Sequence, residues 1–267
     1  MNPVSALTGT LRWLLLAALV AVLGACATVG PGGAAAPGAG LSAAAAVDPW
    51  ESFNRKVYAF NDAIDEAVLK PVATAYRDVV PQIVRTGVSN VLGNIGDIWS
   101  AANHLLQGKL QDGLEMGMRV VTNTFFGLGG LLDPATELGL TRRSEDFGQT
   151  LGRWGVGTGP YLVLPFLGPS TVRDSAGLAV DRSIDSQLLP LSSGERYGLT
   201  ALELVSIRAG LLGATKLLDE VALDRYSFLR DAYLARRRDA VYDGAAPMER
   251  FEDDAADPPA KPASAPR

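Results

Sequence analysis

The two side chains most often recruited for nucleophilic, metal-binding or proton-transfer chemistry occur once each in this chain, as Cys26 and His104. One thiol excludes an intrachain disulfide and a multi-thiolate metal site, and one imidazole excludes an HExxH pair or a three-histidine cluster. His104 lies just before Leu105-Leu106, with no GxSxG elbow or nucleophilic cysteine to serve as a base, and reads as a surface or interfacial histidine. Glu145-Asp146, Arg153 and Arg173-Asp174 are charges that suggest a carboxylate-pair hydrolase. Such a pair needs a held separation and two opposed environments, which chain neighbours do not supply, so ion pairing and helix capping suit these groups better. Gly155, Gly157 and Gly159 lead into Pro160 and an apolar run instead of a helix start, and no GxxxxGK[ST] occurs, which argues against a phosphate cradle. No catalytic residue, metal ligand or cofactor is assigned.

The one thiol has another use. A short polar stretch ending in Arg12, the apolar run Trp13 to Leu23 and the small residues Gly24 and Ala25 form the layout of a signal peptide, residues 1–25. From Trp13 to Ala25 a helix rises only about 20 Å, short of the roughly 30 Å hydrocarbon core. Leu23-Gly24-Ala25-Cys26 resembles the bacterial lipobox, in which the cysteine receives a diacylglycerol and the new N-terminus an acyl chain. Multiple acyl chains give stable anchoring. Ala27 follows, not the Asp that marks inner-membrane retention in enteric lipoproteins, so the resemblance implies outer-membrane delivery. Residues 26–47 hold the lipidated cysteine and an Ala/Gly-rich tether, and residues 243–267 read as a disordered acidic, Pro-rich tail. Lys and Arg number 24 against 29 Asp and Glu, leaving no basic footprint for nucleic acid.

The chemistry-bearing positions therefore depend on residues 48–242. Asp48-Pro49-Trp50-Glu51 reads as a helix start with a capping acid. Phe53, Val57, Phe60, Ile64 and Val68 then recur at helical spacing until Pro71. After Pro81 a longer helix turns Val84, Val88, Val91, Ile95, Ile98, Leu105 and Leu106 inward, with a bend near Gly93 and Gly96. A further helix from about Lys109 to Phe126 carries Leu114, Met118, Val121 and Phe125 on one side, and Glu195 to Val241 reads helical. Strand-like alternation is weak everywhere, so the predicted fold class is all-α.

Phe125 to Pro134 and Trp154 to Ser170 are both apolar and rich in helix breakers, whereas ordinary loops are polar. The second is consistent with a buried strand-like crossing at Tyr161 to Leu164, or with irregular backbone at membrane depth. The runs Asp48 to Pro81, Gly87 to Asp97, Asn103 to Lys109, Asn123 to Ala135 and Glu145 to Asp174, following a lipobox, resemble the MlaA/VacJ outer-membrane lipoproteins. The resemblance covers roughly Asp48 to Asp185 and fades in the C-terminal helices.

That resemblance implies a ring-like bundle of amphipathic helices embedded in one membrane leaflet, enclosing a channel by which misplaced phospholipid leaves the outer leaflet. It implies a trimeric outer-membrane porin, a soluble periplasmic lipid carrier and, indirectly, an inner-membrane ABC transporter complex as partners. Under it, Trp154, Gly155, Gly157, Gly159, Pro160, Tyr161, Pro165, Gly168 and Pro169 form a flexible hairpin beside the channel, a rigid buried turn being the alternative. Phe53, Val57, Phe60 and Ile64 mark a helix lying in the leaflet, or an ordinary core helix. Arg236, Arg237 and Arg238 either dock the carrier or complement a helix C-terminus. A structural lipoprotein that scaffolds envelope complexes without moving lipid shares the anchor and the helices; a phospholipase lacks a nucleophile, base and metal set.

Overall fold

The computed structural model describes residues 47–188 and 191–246. The signal segment, Cys26, the tether up to residue 46 and the tail from residue 247 lie outside them.

Helix dominates. α1 (Glu51–Ile64) passes through a π-helical turn, Asp65–Leu69, into α2 (Lys70–Val79). Pro71 therefore does not end the first helix, because the widened turn before it makes no demand on the N–H that proline lacks. After Pro81 come α3 (Gln82–Leu106), α4 (Leu110–Phe125), the single turn α5 (Pro134–Glu137) and α6 (Phe147–Arg153). An antiparallel hairpin, β1 (Tyr161–Leu164) and β2 (Gly168–Thr171), pairs Tyr161 with Thr171 and Leu164 with Gly168. The strand-like alternative for Tyr161 to Leu164 is the one realised. α7 (Val172–Leu188), α8 (Ser193–Val221) and α9 (Arg225–Val241) complete the described chain.

Acidic and hydroxyl side chains set four of the described helix starts. Asp133 caps α5, Asp146 caps α6 and Asp224 caps α9. Ser192 and Glu195 form a reciprocal capping box on α8. Asp48 departs from the expected role: Trp50 is the N-cap of α1 and makes no side-chain cap bond. The buried Asp48 carboxylate instead accepts the Asn54 amide at 2.8 Å and the Tyr226 hydroxyl.

α3 and α4 fold back on each other through a turn at Gly108, whose φ of +78° suits a residue without Cβ. α3 is one continuous helix past Gly93 and Gly96. Gly93 serves close approach instead of a bend, because a Cβ there would overlap the Arg142 guanidinium. α8 lies against α2 and α3, α6 against α7, and α9 against α6 and β2. A small apolar core forms where Tyr161, Val163 and Tyr226 meet Val57, Tyr58, Tyr233 and Leu234. Among the described residues, no helix is long and apolar enough to cross a membrane.

Candidate functional site

The residues that α3 turns inward are Asn94, Asp97, Ser100, Asn103 and His104, and α4 adds Arg119 and Asn123 beside Met116. The expected direction is thus reversed on α4 and at the ends of α3, while Val88, Val91 and Ile95 are half-buried. Val84, Ile98, Leu105 and Leu106 of α3 are exposed, and on α4 Leu114 is 64% and Phe125 76% exposed. A helical period defines two faces but not which one is buried, so in an apolar solvent the polar face turns in. Val68, Val72, Val79 and Ile83 are exposed as well, as are Phe126, Leu128, Leu131 and Leu132 of the first glycine-rich stretch. So many exposed large apolar side chains on a folded chain point to a lipid or protein contact.

The interior is held by charge. Arg142 makes three hydrogen bonds of 2.9–3.1 Å to Asp97, whose side chain is almost fully buried. Arg119, with no exposed surface, forks onto Asp133 at 2.9 and 3.0 Å and lies 3.8 Å from Asp97 Oδ2. Burial pushes the Asp133 carboxyl up, but bonds from Thr136, Asn123 and Arg119 outweigh it and hold its pKa down at about 2. Lys109 pairs with the buried Glu145 at 3.1 Å. Beside this network, between α3, the 142–146 segment and α8, lies a cavity of about 380 Å³. Its wall carries Asp97, Arg142, Glu145, Asp146, Asp181 and Glu203 beside Leu92 and Ile207.

His104 is not a surface residue: it is 1% exposed and donates Nε2–H to the Arg143 carbonyl at 3.0 Å, as a helix-packing group. Glu145 and Asp146 do not form a catalytic pair. Glu145 is held by Lys109 and by Gln107 at 2.8 Å, while Asp146 caps α6 and accepts Arg237. Asp174 accepts Arg173 at 2.8 Å and Arg237 at 2.9 Å. Burial raises the Asp146 and Asp174 carboxyls, yet the Arg237 bonds and charge bring both below the usual carboxylate range. Arg237 is thereby an internal clamp between α6, α7 and α9, not a docking residue, whereas its neighbour Arg236 is exposed.

The hairpin residues occupy three settings. Trp154, half exposed, donates Nε1–H to the Leu106 carbonyl at 3.0 Å and meets Phe147 edge-on. Gly155, Gly159 and Gly168 have positive φ, while Gly157 and Pro160 do not. Tyr161 is in the apolar core, and Pro165 with Phe166 and Leu167 forms an exposed tip. Pro169 lies opposite Val163, whose N–H points to α1, so the missing proline N–H costs the ladder nothing. On α1, Phe53 and Phe60 face outward, Phe60 stacking edge-on with Phe166 at 5.4 Å, while Val57 joins the core and Ile64 is half-buried.

The residues that tie these parts together went unread in the sequence. Asn54 donates to the Tyr161 carbonyl at 3.1 Å and accepts the Val163 N–H at 2.9 Å. Asn61 donates to the Leu164 carbonyl at 2.9 Å and accepts the Phe166 N–H at 2.8 Å. Their signal was present as two asparagines seven positions apart, hence on one helical face. Asp97, Arg119, Asp133 and Arg142 were also missed, because lone charges among apolar residues read as solvated when the inside is assumed to be apolar.

Apolar side chains outside, polar and ion-paired ones inside and no membrane-crossing helix among the described residues define a helical protein built to work against an apolar surface. The family model described as MlaA lipoprotein matches residues 46–240. The intermembrane phospholipid transport system lipoprotein MlaA of Escherichia coli (strain K12) is 39% identical over 201 residues, 74% of this chain and 79% of that protein. Its counterpart of the same name in Haemophilus influenzae is 34% identical over 205 residues, 74% and 80% of the two chains. A solved structure described as the structural basis for maintenance of bacterial outer membrane lipid asymmetry aligns with a TM-score of 0.64 and 36% identity. It covers 73% of this chain and 98% of its own. The chain belongs to the MlaA lipoprotein family.

Proposed function

We propose that this chain is an outer-membrane lipoprotein of an intermembrane phospholipid transport system, anchored by diacylglycerol and an N-acyl chain on Cys26. Its helices lie in the inner leaflet as a ring. Misplaced phospholipid leaves the outer leaflet through the amphipathic interior and passes to a soluble periplasmic carrier serving an inner-membrane ABC transporter complex. A trimeric porin holds the ring in place. The carrying observation is the inverted distribution of side chains: Leu114 and Phe125 are exposed while Asp97, Asn103 and Arg119 are buried. A phospholipid headgroup loses several kcal/mol if it enters hydrocarbon unpaired, so a path along the polar interior lowers that cost. No bond is made or broken in this reading.

The test is surface-exposed phospholipid in the host's outer leaflet, with the gene deleted, restored, and restored as Cys26→Ala. A rise on deletion that only the acylatable form reverses supports transport from a lipid anchor. A flat response in a strain without a second copy overturns transport and leaves the scaffolding reading.

A further inference from the structure

A two-stranded hairpin standing alone is marginally stable, and each of its edges shows unpaired backbone groups. Among the described residues β1 has no third strand, yet two backbone groups on its edge away from β2 and two more at the turn end of the hairpin are bonded, all by α1. Asn54 takes the Tyr161 carbonyl and the Val163 N–H, and Asn61 takes the Leu164 carbonyl and the Phe166 N–H, every bond between 2.8 and 3.1 Å. A primary amide offers the same donor and acceptor that a neighbouring strand would offer. The spacing is matched as well. Seven helical residues rise about 10 Å, and the three strand residues from Tyr161 to Leu164 advance about 10 Å. Two helical turns thus match the distance from Tyr161 to the end of β1 at Leu164.

Asn54 goes further. Its second amide hydrogen is given to Asp48 at 2.8 Å, and Asp48 also accepts the Tyr226 hydroxyl and lies 3.6 Å from Arg230. Asp48 directly follows the tether segment, so the point where that segment joins the fold, α1, β1 and α9 share one buried knot. At the other end of α1, Arg208 of α8 forks onto Asp65 in the π-helical turn with two bonds of 2.7 Å. α1 is therefore fixed at both ends, and the hairpin is fixed to α1. The glycines with positive φ at 155 and 159 precede β1 and Gly168 opens β2, so none interrupts the segment that the asparagines grip.

We propose that Asn54 and Asn61 are positioning residues for lipid passage, splicing the hairpin onto α1 so that helix and hairpin set the path as one body. The proposal rests on the transport reading above and deepens it. It places the settings of Phe166 and Leu167, the exposed hairpin tip, under the control of α1 instead of the glycine joints.

The experiment uses the full-length acylated protein with Asn61→Leu, which is nearly isosteric and removes both bonds, and Asn61→Asp, which keeps the acceptor for the Phe166 N–H. Lys70→Ala, which loses an exposed pair with Glu66, is the control. Hydrogen exchange across residues 161–167 and surface-exposed phospholipid in the complemented host are both read. Asn61→Leu is expected to speed exchange at the hairpin about tenfold, as loss of two ordinary hydrogen bonds allows, and to raise exposed phospholipid towards the deletion level. Asn61→Asp is expected to keep Phe166 protected and to restore at least part of the transport. Lys70→Ala is expected to match wild type in both. Unchanged hairpin exchange in Asn61→Leu overturns the splice. A loosened hairpin with wild-type lipid levels overturns its role in passage while leaving transport intact. A deletion strain with no rise in exposed phospholipid overturns the transport reading itself, whatever the exchange data show.

Discussion

The hairpin end and the α3–α4 wall solve opposite problems with the same twenty side chains. At the hairpin, Tyr161, Val163 and Tyr226 are buried together as an apolar cluster, with Phe53, Phe60, Phe166 and Leu167 exposed around it. Along α3 and α4 the buried line is Asp97, Asn103, His104 and Arg119, and the rim is Leu114, Met118 and Phe125. The comparison teaches that the fold is stabilised by hydrophobic burial only locally. Elsewhere apolar side chains face outward, and specific ion pairs decide how the helices register. Such pairs gain strength where water is excluded, and the same exclusion makes each of them costly to break.

The sharpest way to break that comparison is Arg119→Leu. It keeps bulk but leaves Asp97 without one of its cations and the Asp133 carboxylate without its fork. Removing one partner of a buried pair costs about 3–5 kcal/mol. The expected result is a large fall in unfolding temperature in mild detergent, or failure to accumulate. A change below about 1 kcal/mol would mean that the interior is wet and its pairs are screened.

Next in size is Leu114→Lys on the outer face of the same helix. A lysine held in hydrocarbon costs about 2.5–3.5 kcal/mol, less where it can reach the interface. Partitioning of the purified protein into phospholipid vesicles is expected to drop at least tenfold, with helical content and melting in detergent unchanged. Equal partitioning would remove α4 from the lipid-facing surface and assign that face to a protein partner.

Acid should separate the two regions more gently. The Asp133 carboxyl sits at about 2 in the fold against 3.8 when free, and Asp146 and Asp174 are shifted in the same direction. A lowered carboxyl contributes stability that is complete above its free value and is lost as pH falls through its folded value. Unfolding temperature is therefore expected to be flat from pH 7 to 5 and to decline from about pH 4 towards 2. Asp133→Asn is expected to be less stable at neutral pH and to show a shallower acid decline; an unaltered slope would separate Asp133 from the stability of the fold.

The two regions were not equally readable in the sequence. The helix start near Glu51, the break at Pro81 and the capping role of Asp146 follow from spacing and side-chain chemistry, which act within a few residues and do not depend on the solvent, whereas the stretch Glu195 to Val241 that reads as helical is broken between Val221 and Arg225. The direction of α3 and α4 does depend on it: Val84, Ile98 and Leu105 have the period of a buried stripe and are exposed. Asp48 and Pro71 show the limit at short range. A carboxylate suited to capping α1 is drawn instead to Tyr226, far along the chain, and a proline that ends most helices is absorbed by a π-helical turn. Asn54 and Asn61 carried the site's clearest spatial signal, but its meaning required knowing that β1 lies across α1.

The smallest effect expected belongs to Arg236, and it decides what remains of the basic run on α9. Arg237 is committed to Asp146 and Asp174, so changing Arg236, Arg237 and Arg238 together would damage the fold and any docking surface at once. Arg236→Glu alone leaves those clamps in place and, as an exposed change, is expected to move folding by less than about 0.5 kcal/mol. If this face meets the soluble carrier, the reversed charge slows their association by roughly threefold at low salt, and the difference vanishes at high salt, because rim charges act mainly on encounter. Association rates that match wild type at low salt would leave Arg236 an ordinary solvated cation near a helix C-terminus. Arg237 would still act inward, as one more of the ion pairs that hold this interior together.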